Sequence, residues 1–199
     1  MITVRAYFPL ISYGDALYAL GGHNGGAHNK MERYSRELGW KSLANLPYNT
    51  HRFNYVYADW SEITFFFTRH CAVADEVLGL IYMIGGHEKR RNARQYNIKT
   101  NSWGGMPDSS LNYDTRDCAA AIIPYKGAMR RRIIVYGIWE RRVNYVWLDP
   151  PSDWSTMEES HFHNQYMYAV SVSKYEHYIM GGQSNRHGDI TTRYSNKIS

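Results

Sequence analysis

The chain has 199 residues and a formal charge of +5, long enough for a sizeable core and too weakly basic to mark a nucleic-acid binder. No run approaches the roughly 18 apolar residues of a membrane span, residues 1–10 lack the apolar core of a signal peptide, and no Asn-x-Ser/Thr acceptor occurs. Two Cys cannot organise the fold as a disulfide framework, whereas 18 Tyr, 6 Trp and 16 Gly suit short strands joined by tight turns.

In chain order, Arg5 comes first, followed by expected strands at Ala6 to Ser12 and Ala16 to Leu20, the second ending on Gly21-Gly22. Tyr34 and Trp40 then sit in expected strands at Met31 to Ser35 and Trp40 to Leu43. The stretch 47–67 carries eight aromatic residues and reads as an insertion, either a folded connection or an exposed binding lobe. The order then recurs. Arg69, expected strands at Cys71 to Val73 and Leu80 to Ile84, the pair Gly85-Gly86, Tyr96 in Arg94 to Asn97 and Trp103 in Ser102 to Trp103 form a second unit. A third has Arg116, Cys118 to Ile123, Ile133 to Tyr136, Gly137, Asn144 to Leu148 and Trp154 to Met157, with Trp147 in the tyrosine's place. The fourth has Gln165 where the Arg should be, then Tyr168 to Val172, His177 to Met180, Gly181-Gly182 and Thr191 to Tyr194. It lacks a Trp-bearing last strand.

The Gly-to-Gly intervals are 64, 52 and 44 residues, and Arg precedes Gly by 16 in the first two units. An apolar run, a glycine pair and a Tyr and Trp about six residues apart, recurring at this period, resemble the kelch repeat. The resemblance implies an all-β, kelch-type β-propeller in one domain, 1–199, with repeats at 5–46, 69–107, 116–160 and 165–199. Four blades are visible, the last incomplete, which suits a fragment of a larger ring. Each repeat is then a four-stranded blade, labelled A to D from the channel outward. Glycines at the end of strand B allow close backbone approach, and the Tyr and Trp fill the space between blades. These landmarks report fold, not ligand.

Up-and-down strand order puts all B–C loops on one face and all A–B and C–D loops on the other. Cationic and polar residues gather in the B–C loops: Lys89, Arg90 and Arg91; Arg141 and Arg142; Arg186 and His187; and His23, Asn24, His28 and Lys30. Such a mouth suits an acidic peptide or protein surface, because Arg offers paired donors to a carboxylate. Solvated loops would look the same, and Arg130-Arg131-Arg132, expected in an A–B loop, argues against a one-sided basic surface. Cys71 and Cys118 each lie two residues after the landmark Arg, which predicts small buried thiols, with a disulfide as the lesser reading. His161 and His163 are too few for a metal site, and His87, like His23, follows a glycine pair and reads as a loop residue.

The expectation is therefore a non-enzymatic, cytoplasmic protein–protein interaction module with no cofactor, no metal and no nucleic-acid or membrane partner. The kelch resemblance implies substrate recognition within a ubiquitin ligase adaptor, or an actin-associated scaffold. The alternative is a kelch-type enzyme, either copper oxidase-like, with a Tyr and His constellation and a cross-linked Cys, or sugar epimerase-like.

Overall fold

A computed structural model describes residues 1–6, 8–26, 28–48, 70–85, 91–112, 115, 118–124, 130–136, 143–157, 164–165, 168–173, 176–180, 183–184 and 196–198, with backbone alone from 157 onward. Among them there is no helix, hence none long and apolar enough to cross a membrane. The aromatic-rich stretch 47–67 lies almost entirely outside the described residues.

Three four-stranded antiparallel sheets follow one another along the chain, each a simple meander. Sheet one comprises β1 (Leu10–Tyr13), β2 (Ala16–Leu20), β3 (Met31–Ser35) and β4 (Gly39–Ser42). Sheet two comprises β5 (His70–Asp75), β6 (Leu80–Gly85), β7 (Asn92–Asn97) and β8 (Ser102–Ser110). Sheet three comprises β9 (Ala119–Pro124), β10 (Arg131–Tyr136), β11 (Val143–Trp147) and β12 (Ser155–Met157). The trailing part adds β13 (Asn164–Gln165), β14 (Tyr168–Ser173), β15 (Glu176–Met180), β16 (Gln183–Ser184) and β17 (Asn196–Ile198). There β14, β15 and β17 form a three-stranded sheet, and β13 pairs with β16. The strand that pairs with β15 is thus Asn196–Ile198, while the expected Thr191 to Tyr194 lies outside the described residues.

The sheets stack like propeller blades. Their first strands approach one another in sequence, β1 to β5, β5 to β9 and β9 to β14, whereas β1 and β14 do not touch. Among the described strands the arrangement is an open arc. Strand alternation lets each sheet present two apolar faces. Ala16, Tyr18, Leu20 and Met31 of sheet one pack on Ile81, Met83 and Tyr96 of sheet two. The opposite face of sheet two, with Cys71, Tyr82, Ile84 and Ala93, packs on Cys118, Ala120, Ile133, Val135 and Val146 of sheet three. Ala119, Ala121, Ile134 and Tyr136 form the far face of sheet three.

The repeated landmarks have repeated geometry. Tyr34 lies directly across the strand pair from Trp40, and Tyr96 from Trp103, with ring centroids 5.3 and 5.2 Å apart and interplanar angles of 48° and 47°. The six- or seven-residue interval is the length of a hairpin that brings these two rings together. Sheet three departs from it. Val146 pairs with Ile133 just as Tyr34 pairs with Leu17, so Val146 takes the tyrosine's place, and Trp147 points to the other face. Counting forward from Gly137 misplaces that residue by one, and in a strand one residue reverses the face.

Two glycines are required by close approach. Gly22, at φ +113°, would bring a Cβ within 3.0 Å of the Ala6 carbonyl. Gly85, at φ +69°, would drive one into the carbonyl and hydroxyl oxygens of Thr115, on the connection into sheet three.

Candidate functional site

At the B–C end of sheet one, Arg5 is buried and its guanidinium is fully committed. It donates to the carbonyls of Gly21 and Lys30, both at 2.8 Å, and to Glu32 Oε1 at 2.6 Å. Glu32 also accepts from the amides of Ile2 and Thr3, at 3.0 and 2.8 Å. Burial alone would raise the Glu32 carboxyl. Hydrogen bonds from Thr3 and Ile2 and the charge of Arg5 outweigh it and hold the group below the usual carboxylate range. The landmark Arg therefore closes the end of strand B onto the start of strand C.

This anchoring decides where the sequence-derived site residues sit. His23 is drawn inward, exchanging two backbone hydrogen bonds with Ala6 at 2.9 and 3.0 Å. His28 tucks in beside it, and burial followed by the charge of Arg5 lowers its imidazole pKa. Asn24 is exposed at the loop tip, where its amide donates to the Gly26 carbonyl at 3.1 Å. Arg91 is exposed at the start of β7. Of the expected cluster, Asn24 and Arg91 project outward and His23 is largely a loop anchor. Lys89, Arg90, Arg141, Arg142, Arg186 and His187 lie outside the described residues, as do His87, His161 and His163.

The opposite face corrects the expectation about the arginine run. Arg131 and Arg132 belong to β10 itself rather than to a loop, with Arg130 just before it. Arg131 makes a two-pronged bond to Asp149, Nε to Oδ2 at 2.7 Å and Nη2 to Oδ1 at 2.9 Å, and its Nη1 also donates to Asp75 of sheet two. The hydrogen bonds to Asp149 raise the Arg131 pKa, and the same bonds lower that of Asp149. Arg130 stacks over Trp147 at 4.5 Å, and Arg132 lies 5.7 Å from the Tyr145 ring. The run is a clamp between sheets two and three, with its charge matched by two carboxylates and two rings.

Cys71 and Cys118 are not separate thiols. They form a disulfide with Cα atoms 5.4 Å apart, linking the inner strand of sheet two to that of sheet three. Equal spacing from the landmark Arg had suggested equivalent positions, whose side chains would point the same way. The register differs: Cys71 lies opposite Ile84, the residue before Gly85, whereas Ala119, not Cys118, lies opposite Tyr136, the residue before Gly137. A one-residue offset turns the two sulfurs toward each other across the interface.

His70, next to Cys71, is buried, and neither ring nitrogen has a hydrogen-bond partner among the described residues. Burial lowers its pKa to about 4. No group of three or more His, Cys, Asp or Glu among the described residues is arranged to hold a metal ion.

No protein-family model and no curated protein matches the chain. Solved structures do. The structure of YjhT superposes with a TM-score of 0.62 over 92% of this chain and 60% of that one, at 11% identity. The likeness is one of fold alone. A fungal alcohol oxidase of the AA5 family, in complex with copper, matches at a TM-score of 0.41 and 11% identity, over 84% of this chain and 44% of that one. The chain therefore spans less than two thirds of the length of either structure.

Proposed function

We propose that the chain is a kelch-type propeller module that binds an acidic protein surface or peptide through its B–C loop face. The observation that carries this reading is the fate of the other basic cluster. Arg131 is consumed by Asp75 and Asp149, and Arg130 and Arg132 lie on aromatic rings, so the run at 130–132 is a structural clamp and no rival docking site. That leaves the sequence expectation of a basic set at 89–91, 141–142 and 186 without a rival at 130–132; of its members Arg91 is described and is exposed, as is Asn24 at its own loop tip.

The disulfide bears on the other readings. The chain has two Cys, and pairing them leaves neither for the cross-linked cysteine that a copper oxidase-like site calls for. Disulfides also persist mainly in oxidising compartments, which favours such a setting over the cytoplasm and gives no support to a cytoplasmic adaptor role.

The test is binding of a fluorescent poly-glutamate peptide. Replacing Arg90, Arg91, Arg141 and Arg142 by Ala should weaken binding at least about tenfold and flatten its salt dependence. Arg130→Ala should leave it unchanged. Equal affinity in the quadruple variant would overturn the reading.

A further inference from the structure

The sequence holds one Asn-Gly pair, Asn24-Gly25, and it stands at the tip of the B–C loop of sheet one. Both residues are exposed. The loop is pinned at its two ends, by His23 on Ala6 and by the His28 amide on the Gly22 carbonyl at 3.3 Å. Between them the tip is spanned by a single backbone bond, from the Asn24 amide to the Gly26 carbonyl. Neither the Asn24 side chain nor the Gly25 amide makes a hydrogen bond among the described residues. A Cβ placed on Gly25 or Gly26 would meet nothing within 4 Å, so the space around both is open. Two successive glycines also give this stretch the backbone freedom that closing a ring onto the preceding side chain requires.

We propose that Asn24 is a self-modification site, at which its side-chain amide is exchanged for a carboxylate and the B–C face gains a negative charge. The Gly25 nitrogen gives its proton to solvent base and attacks Cγ of Asn24. The Cγ–Nδ2 bond breaks, and that nitrogen takes up a proton and leaves as ammonia. Water then opens the five-membered imide. Breaking its Cγ–N bond returns Asp, whereas breaking the bond to the main-chain carbonyl carbon gives isoaspartate, with the backbone rerouted through Cβ and Cγ. Water is the co-reactant, and nothing is oxidised or reduced. Asn101 shows where the same chemistry is blocked. It precedes the small Ser102, but its side-chain oxygen is held by Tyr96 Oη and the Ala44 amide, and Ser102 is paired with Asn97 in sheet two. Its Cγ cannot turn onto the following nitrogen. The modification stands without the binding reading; its consequence, a like charge set against an acidic ligand, rests on that reading.

Peptide mapping by mass spectrometry tests this, on the native chain incubated in neutral buffer at body temperature beside a free peptide of residues 21–28. Residue 24 should become a rising mixture of Asp and isoaspartate, at a rate close to that of the peptide, while Asn101 stays intact. Gly25→Ala should slow the conversion several-fold, and Asn24→Gln should abolish it. Asn24→Asp, which installs the charge at once, should weaken poly-glutamate binding about twofold or more. Asn24 intact in the folded chain over a period that converts the peptide, or Asn101 converting as fast as Asn24, would overturn the proposal. Undiminished poly-glutamate binding by Asn24→Asp overturns the consequence for binding if the quadruple arginine variant is weakened, and the binding reading itself if it is not.

Discussion

At the residue scale, His70 is the group most exposed to pH. Its ring is neutral in the folded chain because burial lowers its pKa to about 4, while the unfolded chain titrates it near 6.5. A depressed folded value gives stability that is fully present above 6.5. That stability is lost as pH falls from 6.5 through about 4, because the unfolded chain takes up a proton that the folded chain refuses. The loss is on the order of 3 kcal/mol across that window. Burial lowers His28 too, which adds in the same direction. Urea unfolding at pH 7 and pH 4.5 should therefore show a marked fall, and His70→Phe should remove most of it. An unchanged fall in the variant would show that the proton goes elsewhere. Arg5 was legible as a landmark from its spacing, but its role was not, because its partners are two carbonyls and Glu32, brought together only by folding. Arg5→Ala leaves the Glu32 carboxylate, whose side chain is 1% exposed, without its cation, and should cost about 3 kcal/mol or more in chemical denaturation. A cost near that of a surface substitution would contradict the anchoring role.

At the element scale, the hairpins were largely readable. Apolar runs ending in glycine gave the second strand of each sheet, and the Tyr and Trp intervals gave the third and fourth. What escaped was register. The equal 16-residue spacing from Arg5 to Gly21 and from Arg69 to Gly85 conceals unequal turns, two residues between β1 and β2 and four between β5 and β6. Such a slip leaves strand identity intact while moving residues along the face. The same limitation hid the Cys71–Cys118 bond and displaced the landmark from Val146 to Trp147. It also hid Asn101, which sits at φ +51° in the turn between β7 and β8. Its side-chain oxygen accepts from Tyr96 Oη at 2.7 Å and from the Ala44 amide of sheet one at 2.8 Å. Two stability tests follow at this scale. Gly85→Ala collides with Thr115 at a left-handed φ, and should lower the unfolding free energy by more than about 1 kcal/mol. Opening the disulfide with Cys118→Ala releases a 47-residue separation and should cost about 2–4 kcal/mol. Alkylation of the denatured, unreduced protein should label neither Cys71 nor Cys118; labelling of both after oxidative refolding would contradict the bond.

At the scale of the whole molecule, sheets two and three use both faces for packing and their landmark residues are absorbed in that work. On the proposed reading, function is left to the loops, where sequence repeats carry least information. Arginines follow three of the four glycine runs, at 90–91, 141–142 and 186, which made an expected cluster recognisable, but the same composition at 130–132 served a clamp. Composition alone could not separate the two, because the carboxylates that neutralise Arg131 come from positions 75 and 149, far apart in sequence. The central claim is that an acidic ligand engages one face of this arc. Amide hydrogen exchange with and without poly-glutamate tests it most directly. The account predicts slowed exchange at 22–30, 86–91 and 137–142, with 76–79 and 148–152 unchanged. Protection confined to the latter pair of segments, or protection nowhere at saturating peptide, would contradict it.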